Sequence, residues 1–360
     1  MSNSTVDALA TVPEPATPKQ TPKWVERASR WLTALGFVWL VPLLKLATGA
    51  NPREQLHELQ RLVLIPLLGI ALFLGAWGAL APTIQTSLGA IPGPAQVWEQ
   101  AVLLWEDHQN ERDKKAAFML RQEKRNAKLA EQGKSERIKW RRYTGKPTYL
   151  DQILTSLGTV GLGFLIATLL AVPIGIASGL SRTFSDAINP LVQIFKPVSP
   201  LAWLPIVTMI VSALYVDASD LFPKSLVISA VTVTLCSLWP TLINTSLGVA
   251  SIDKDLINVS KVLQLSTWTK IRKLVLPSSL PLIFTGLRLS LGVGWMVLIA
   301  AEMLAQNPGL GKFVWDEFQN GSSSSLAKIM VAVLTIGLIG FLLDRIMYAL
   351  QSAFTFSANR

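Results

Sequence analysis

Long apolar blocks, separated by polar segments, make up most of this chain of 360 residues. A helix that crosses a membrane needs about 20 mostly apolar residues, and six blocks reach that length. They lie at residues 62–82, 153–178, 191–215, 225–250, 281–304 and 328–350. The pattern predicts an all-α, polytopic membrane protein with six transmembrane helices.

A further apolar block at residues 31–47 is shorter and contains Pro42. Trp24, Trp31 and Trp39 recur at a spacing of about two helical turns, which places three indole rings on one face of a helix. Tryptophan is enriched where a helix lies in the membrane–water interface. We therefore predict an interfacial helix here and not a seventh span.

The apolar blocks divide the chain into three parts. Residues 1–22 are rich in Pro, Thr and Ala and lack apolar periodicity, which is typical of a disordered tail. Residues 23–60 are predicted to form an N-terminal interfacial region, and residues 61–355 a transmembrane domain.

The distribution of basic residues predicts the orientation. The short loop at residues 251–280 carries Lys254, Lys261, Lys270, Arg272 and Lys273. Short loops rich in Lys and Arg stay in the cytoplasm, so this loop is predicted to be cytoplasmic. Counting back through the spans then places the N-terminus in the cytoplasm.

The same count places residues 83–152 outside, although they carry thirteen Lys and Arg residues. The charge rule weakens for segments longer than about 60 residues, so the topology stands. Within this insertion, residues 106–142 are rich in strong helix formers and are predicted to be helical. Two interpretations remain open: a solvated surface helix, or a docking element for a soluble partner.

Composition narrows the classes of function. Only 16% of the residues are charged, against about 25% in soluble domains. In a membrane protein, a net charge of +10 reflects orientation and lipid headgroup contacts, so the predicted partner is the lipid membrane and not nucleic acid. The single cysteine, Cys236, excludes an intramolecular disulfide, and two distant histidines, His57 and His108, give no basis for a metal site.

The cytoplasmic loop is longer than a simple connection requires. It reads SIDKDLINVSKVLQLSTWTKIRKLVLPSSLPLIFTGLR over residues 251–288, a polar, helix-favouring run between two spans. Connections in compact proteins are usually short. The run is therefore either a docking site for a soluble partner or an amphipathic helix that lies on lipid headgroups.

This loop resembles the coupling loop of ABC importer permeases. That pattern is Glu-Ala-Ala, three residues, Gly, and about nine residues to Ile-x-Leu-Pro. Asn258, Val259 and Ser260 occupy the Glu-Ala-Ala positions, Gln264 occupies the glycine, and Leu276-Pro277 closes the motif. The spacing is kept, but the acidic residue and the glycine are not, so Gln264 is expected either to adopt a strained turn conformation or to alter the turn.

Two other segments resemble the nitrate/sulfonate/taurine/bicarbonate branch of these permeases, and nitrate permeases above all. They are LGAIPGPAQVWEQAVLL at residues 88–104 and IFKPVSPLAWLPIVTMIVSALY at residues 194–215. The resemblance implies a type I permease fold and import of a small inorganic anion, with nitrate first and nitrite beside it. It also implies three partners: cytoplasmic ATPase subunits that bind ATP and Mg²⁺, a periplasmic solute-binding protein, and a second copy of the permease.

The chain has no phosphate-binding loop of its own by sequence. The nearest run is Gly309-Leu310-Gly311-Lys312, in which Gln306 stands at the first glycine position and Phe313 follows the lysine. A phosphate loop needs Gly, four residues, then Gly-Lys and Ser or Thr. The sequence therefore predicts neither a cofactor nor a catalytic residue in this chain, and ATP hydrolysis by a partner.

Ionisable side chains within spans are costly and mark transport pathways. Lys196, Arg288 and Glu302 are such residues, and Arg288 can offer two parallel N–H donors to a planar oxyanion. Thr208 and Asn244 add hydrogen-bonding groups on the predicted pathway. The alternative for the charged residues is snorkelling or a structural ion pair, and for the polar ones a bond to their own helix backbone.

Three other functions stay open. The substrate can instead be a sulfonate, taurine, cyanate or bicarbonate. An ion-coupled secondary carrier or channel is a second class, and it predicts inverted repeats and buried acidic coupling sites. A membrane enzyme is a third, and it requires a catalytic cluster beside the spans.

Overall fold

The computed structural model describes residues 22–34, 38–48, 52–86, 89–215, 222–322 and 324–358. These residues are helical almost throughout, with a two-residue antiparallel hairpin between Gln85–Thr86 and Gly89–Ala90. The helices are α1 (Lys23–Ala34), α2 (Leu40–Ala47), α3 (Pro52–Leu59), α4 (Ile65–Leu80), α5 (Pro94–Glu131), α6 (Tyr149–Leu180), α7 (Arg182–Phe195), α8 (Pro200–Leu214), α9 (Lys224–Ala250), α10 (Lys254–Val262), α11 (Thr267–Lys270), α12 (Leu276–Ala305), α13 (Leu310–Asn320) and α14 (Ser325–Ala358). The predicted tail at residues 1–22 lies outside the described residues, apart from Pro22.

Five continuous helical segments are long and apolar enough to cross a membrane. They are Arg53–Thr83, Tyr149–Leu180, Lys224–Ala250, Thr267–Ala305 and Ser325–Phe354. The pair α7 and α8 is a sixth candidate by length and composition, with the two helices bent by 102° at a short break. The prediction of an all-α protein with about six spans is confirmed, and the block predicted at residues 191–215 is a bent helix pair.

The chain forms two compact units, Met1–Leu72 and Phe73–Arg360. In the first unit, α1 and α2 have 12 and 8 residues, which is too short for a span. The Trp24 and Trp39 side chains are exposed, and that of Trp31 lies outside the described side chains. The interfacial placement of this region stays a prediction.

The core of the second unit is built around α9. This helix packs along both α6 and α12, and close approach depends on glycines in the flanking helices. A Cβ atom at Gly163 of α6 would lie 2.8 Å from the carbonyl oxygen of Ala230, and one at Gly286 of α12 would lie 2.8 Å from Cβ of Asn244. Small residues allow membrane helices to gain dispersion energy at short separation, so these three spans form the most tightly packed part of the protein.

The insertion between the first two spans is a helical arm. Its helix is α5, which begins at Pro94 and ends at Glu131, so the predicted bounds 106–142 are displaced at both ends. Proline at the first helical position starts the helix early. Gly133, with φ of +69°, ends it, because glycine adopts this left-handed conformation without steric cost.

The chain returns along α5 in an extended segment held by side chains of the helix. The amide of Gln122 clamps one residue of this return, accepting from Arg141 N at 2.6 Å and donating to Arg141 O at 2.8 Å. Nearer the membrane end, Tyr143 OH donates to Glu111 Oε1 at 2.6 Å. This hydrogen bond lowers the pKa of Glu111 and raises the pKa of Tyr143. The arm is therefore an ordered helix–return hairpin.

Removal of the Gln122 clamp is expected to loosen the return segment. In Gln122→Ala, the backbone groups of Arg141 lose both side-chain partners, at a cost of about 1–2 kcal/mol. Limited trypsin digestion of the full-length protein should then cut the return segment several-fold faster, since it carries Lys139, Arg141 and Arg142. Exposed Gln132→Ala at the end of the arm is the matched control, and equal cleavage of both variants would contradict the clamp.

Candidate functional site

The candidate coupling loop is a helix–turn–helix between the fourth and fifth spans. Helix α10 is capped by Asp253, whose carboxylate accepts from Asp255 N at 2.9 Å. Helix α11 starts after Ser266, whose hydroxyl accepts from Thr269 N at 3.3 Å. From α11 the chain runs through a π-helical turn, Ile271–Val275, directly into α12. The second half of the loop and the fifth span are thus one continuous helix, Thr267–Ala305.

Gln264 makes the turn of this loop in the left-handed conformation, with φ of +48°. Leu265 N donates to Ser260 O at 3.1 Å, and Gln264 N donates to Lys261 O at 3.0 Å. These two bonds define a Schellman motif, in which the left-handed residue is usually glycine. The expectation that Gln264 adopts a strained turn conformation is confirmed.

Restoring glycine at this turn is expected to stabilise the loop. Gln264→Gly removes a left-handed strain of about 1 kcal/mol, whereas Gln264→Ala keeps the Cβ atom and the strain. Hydrogen exchange of the amides of α10 in the purified protein should therefore slow several-fold in the glycine variant only. Equal exchange in the glycine and alanine variants would show that the turn is unstrained.

The remaining coupling residues lie on one protruding surface. Asn258 and Val259 are exposed on α10, and Ser260 is buried beneath them, with its hydroxyl donating to Ile257 O at 2.6 Å. Five large apolar side chains project around the turn, a surface that we name the coupling knob: Leu256, Val259, Val262, Leu263 and Trp268. A cluster of this kind marks a protein–protein or membrane contact.

Leu276 and Pro277 lie at the other end of the loop, half-buried inside the continuous helix. Proline has no N–H group to donate to the carbonyl four residues earlier. The π-helical turn Ile271–Val275 lies just before Leu276 and Pro277. Such turns occur where the regular hydrogen-bond ladder of a helix is interrupted. The closing motif thus marks the point where the loop becomes the fifth span.

Lys196 lies at the break of the third span. It is exposed and follows the last residue of α7. Its neighbour Phe195 stacks near Trp239, with ring centroids 6.3 Å apart, and Trp239 lies near the middle of α9 (Lys224–Ala250). The break therefore places Lys196 next to a ring that contacts the middle of α9.

Arg288 forms an ion pair within the membrane domain. Its Nε atom donates to Asp344 Oδ1 and its Nη2 atom donates to Asp344 Oδ2 at 2.7 Å, and the guanidinium lies 5.6 Å from the ring centroid of Tyr348. The pair joins α12 to α14, as in the ion-pair alternative. Asp344 was missed from the sequence, although an acidic residue inside a long apolar block is a signal that finds it.

Glu302 is fully buried, and its carboxylate is enclosed by donors. Ser156 Oγ donates to its two oxygens, at 2.9 and 2.8 Å, and Gly311 N donates to Oε2 at 3.0 Å. Asn307 Nδ2 lies 3.5 Å from Oε1. These contacts join α6, α12 and the start of α13, so the carboxylate faces the protein interior.

The glycines of the run Gly309-Leu310-Gly311-Lys312, which lacks the phosphate-loop pattern, have a packing role. A Cβ atom at Gly309 would lie 2.1 Å from Glu302 Oε1, and one at Gly311 would lie 2.1 Å from the carbonyl oxygen of Ile299. No larger residue fits either position without displacing the carboxylate or the backbone. This run therefore folds around Glu302.

Thr208 and Asn244 bond to their own helices. Thr208 Oγ1 donates to Leu204 O at 2.8 Å, and Asn244 Nδ2 donates to Pro240 O at 2.8 Å. Arg288 and Glu302 are 14 positions apart on α12, which is about 21 Å along a helix. The structure therefore does not bring the predicted pathway residues together into one site.

A polar cavity of about 500 Å³ lies at the base of the arm, between α5, the start of α6 and α13. Its lining includes Lys114 and Lys328, which pair with Glu111 at 3.4 Å and with Glu317 at 3.2 Å. Because these lysines are already neutralised by carboxylates, the cavity does not offer them to an anion.

Five or six candidate spans and a helical loop before the helix Thr267–Ala305 are the architecture of a polytopic transport subunit. The family described as "Binding-protein-dependent transport system inner membrane component" matches residues 171–355, which is half of the chain. The chain belongs to this family and is an ABC importer permease of the nitrate and bicarbonate branch. The recognition made from the coupling loop is confirmed.

Curated relatives fall into two substrate groups. The chain is 36% identical over 196 residues to the nitrate import permease protein NrtB of Synechococcus elongatus, covering 54% of this chain and 66% of that protein. It is 37% identical to the bicarbonate transport system permease protein CmpB of the same species, covering 56% and 67%. It is 32% identical to the CmpB protein of a Synechocystis species, covering 83% of this chain and 91% of that protein.

The matched segment spans just under two thirds of the first of these nitrate permeases. The backbone is also similar to a chain of the MetNI methionine ABC transporter, with a TM-score of 0.47 and 16% identity over 55% of this chain and 94% of that chain. This likeness is too weak to add to the family assignment.

Proposed function

We propose that this chain is the membrane subunit of an ATP-driven importer for a small planar anion, with nitrate the first candidate. The observation that carries the proposal is the coupling knob, which surrounds the turn between α10 and the continuous helix Thr267–Ala305 that forms the fifth span. An importer needs this kind of connection, since work done by a soluble ATPase must reach the membrane helices. The chain supplies the path, and ATP and Mg²⁺ are held by the partner.

The proposed cycle is alternating access. The ATPase subunits grip the coupling knob from the cytoplasm and move it when ATP binds. Because Thr267–Ala305 is one helix, this displacement reaches the opposite membrane face, where Glu302 holds α13. The equilibrium between inward- and outward-facing states then shifts by the differential affinity of the ATPases for the two states.

Three further elements complete the proposed assembly. A periplasmic binding protein delivers the anion, and the ordered basic arm is a candidate contact for it. A second permease copy lies across the translocation path, since six spans of one chain enclose only one side of such a path. The N-terminus faces the cytoplasm of the bacterial cell, as the basic loop at residues 251–280 predicts.

Nitrate and bicarbonate share the chemistry that the pathway must recognise. Both are planar oxyanions with a single negative charge, and the curated relatives of the two groups are equally similar to this chain in sequence identity. The likeness of residues 88–104 and 194–215 to nitrate permeases supports nitrate. The greater length shared with the Synechocystis bicarbonate permease supports bicarbonate as the second candidate.

ATP hydrolysis by the reconstituted complex tests the proposal. The permease, its ATPase and its binding protein are placed in lipid nanodiscs with nitrate, nitrite, bicarbonate, taurine or no anion. Stimulation by nitrate, alone or with nitrite, is the expected result. Stimulation by bicarbonate only would replace the substrate and keep the importer, and absence of any ATPase that binds the permease would overturn the function.

A further inference from the structure

The break between α7 and α8 brings three aromatic rings together, and a lysine follows the first of them in the chain. Phe195 ends α7, and its ring centroid lies 5.7 Å from that of Trp203 in α8 and 6.3 Å from that of Trp239 in α9. Lys196 follows Phe195 directly and is exposed. Broken helices at mid-membrane depth are where transporters bind their substrates, because backbone and side-chain groups are released there from the helix ladder.

The two indoles of this cluster present unsatisfied donors. The Nε1 atoms of Trp203 and Trp239 are buried and have no hydrogen-bond acceptor among the described residues. Lys196 forms no ion pair in the part of the chain that the structure describes. A buried N–H group without an acceptor costs free energy, and a cation within a span costs more. A ligand with hydrogen-bond acceptors and a negative charge would satisfy all three groups.

We propose that the Lys196 ammonium and the indole N–H groups of Trp203 and Trp239 bind the transported oxyanion at the break of the third span. This site rests on the proposed function, and it adds the residues that contact the anion inside the membrane. The arrangement offers donors only: an ammonium with three N–H groups and two indoles that can donate but not accept.

The chemistry of the cluster selects an anion. An aromatic ring carries positive potential at its edge and negative potential on its face, so an oxyanion approaches the N–H edges of the indoles. In a medium of low dielectric constant, the ammonium attracts the anion more strongly than it does in water. Among the other charged candidates, the charge of Arg288 is balanced by Asp344, and Glu302 is itself a carboxylate enclosed by donors.

The test measures anion transported per ATP hydrolysed in proteoliposomes that contain the whole importer. Trp203→Phe and Trp239→Phe keep an aromatic ring and remove one N–H group each. Lys196→Gln removes the charge, and Lys196→Arg keeps it. Trp24→Phe, at an exposed tryptophan of α1, and Lys45→Gln, in α2, are the matched controls.

Each of the first three variants is expected to lower this ratio by about 10-fold, the order of effect for one hydrogen bond to a charged group. ATPase stimulation by the loaded binding protein should persist, because the coupling knob is untouched. Lys196→Arg and the controls should stay within about 2-fold of wild type.

The outcomes separate the site from the function. A wild-type complex that transports none of the anions overturns both proposals. Transport by wild type together with unchanged ratios in all variants overturns the site alone. If the tryptophan variants lose assembly, ATPase activity and transport in parallel, the two tryptophans have a structural role. The proposed site is then tested by Lys196→Gln, at an exposed position, and a normal ratio of anion to ATP in that variant overturns the site.

Discussion

Replacement of Glu302 by alanine is expected to unfold the region where α6, α12 and α13 meet. The substitution leaves the Ser156 hydroxyl and the Gly311 N–H without their acceptor, in a place that neither water nor lipid reaches. Each orphaned donor costs about 1–3 kcal/mol, and the space left by a buried side chain of this size adds about 2 kcal/mol. A loss of about 4–8 kcal/mol is a large part of the stability of a typical domain.

Thermal unfolding of the purified permease in detergent or nanodiscs measures this loss. The midpoint for Glu302→Ala should fall by about 10 °C or more, and the yield of folded protein should fall with it. Glu302→Gln should be intermediate, because one amide oxygen still accepts. Glu99→Ala, at an exposed position of α5, is the control. An equal unfolding midpoint in the two alanine variants would show that the Glu302 carboxylate does not stabilise the fold.

The structural role of Glu302, which holds the start of α13 against α6, could not be predicted from the sequence. Its charge inside a span was visible, and so a pathway role was predicted. The partner Ser156 lies 146 positions away in the chain, and no periodicity or motif links two such residues. Only the folded structure shows that the carboxylate organises the start of α13.

Hydropathy was sufficient to predict the number of candidate spans, because a candidate span is recognised by the length and composition of a local segment. The break in the third span has a local signal, since Pro197 and Pro200 lie at the kink and proline disfavours a continuing helix before and at its own position. The coupling turn was predicted to the residue, because the spacing of the motif placed Gln264 where glycine is usual. The aromatic cluster around Phe195 needed tertiary contacts and had no such signal.

The ion pair of Arg288 and Asp344 is expected to be a structural link between the fifth and sixth spans. Arg288 lies near the middle of α12, so removal of Asp344 leaves an unpaired charge deep in the spans, at a cost of about 3 kcal/mol. Either single variant, Arg288→Gln or Asp344→Asn, should therefore lower the unfolding midpoint and the transport rate together. The double variant carries no unpaired charge and should recover most of both.

A double-mutant cycle on these two positions distinguishes the link from the anion pathway. Both side chains are about 40% exposed, so the guanidinium retains N–H groups that a passing anion can reach. If Arg288 contacts the anion, the double variant will be stable and assembled but still unable to transport, because neutralising Asp344 does not restore the donors. If the pair is structural, transport will return with stability, and the anion must find its donors elsewhere, at Lys196 and the two indoles of the broken span.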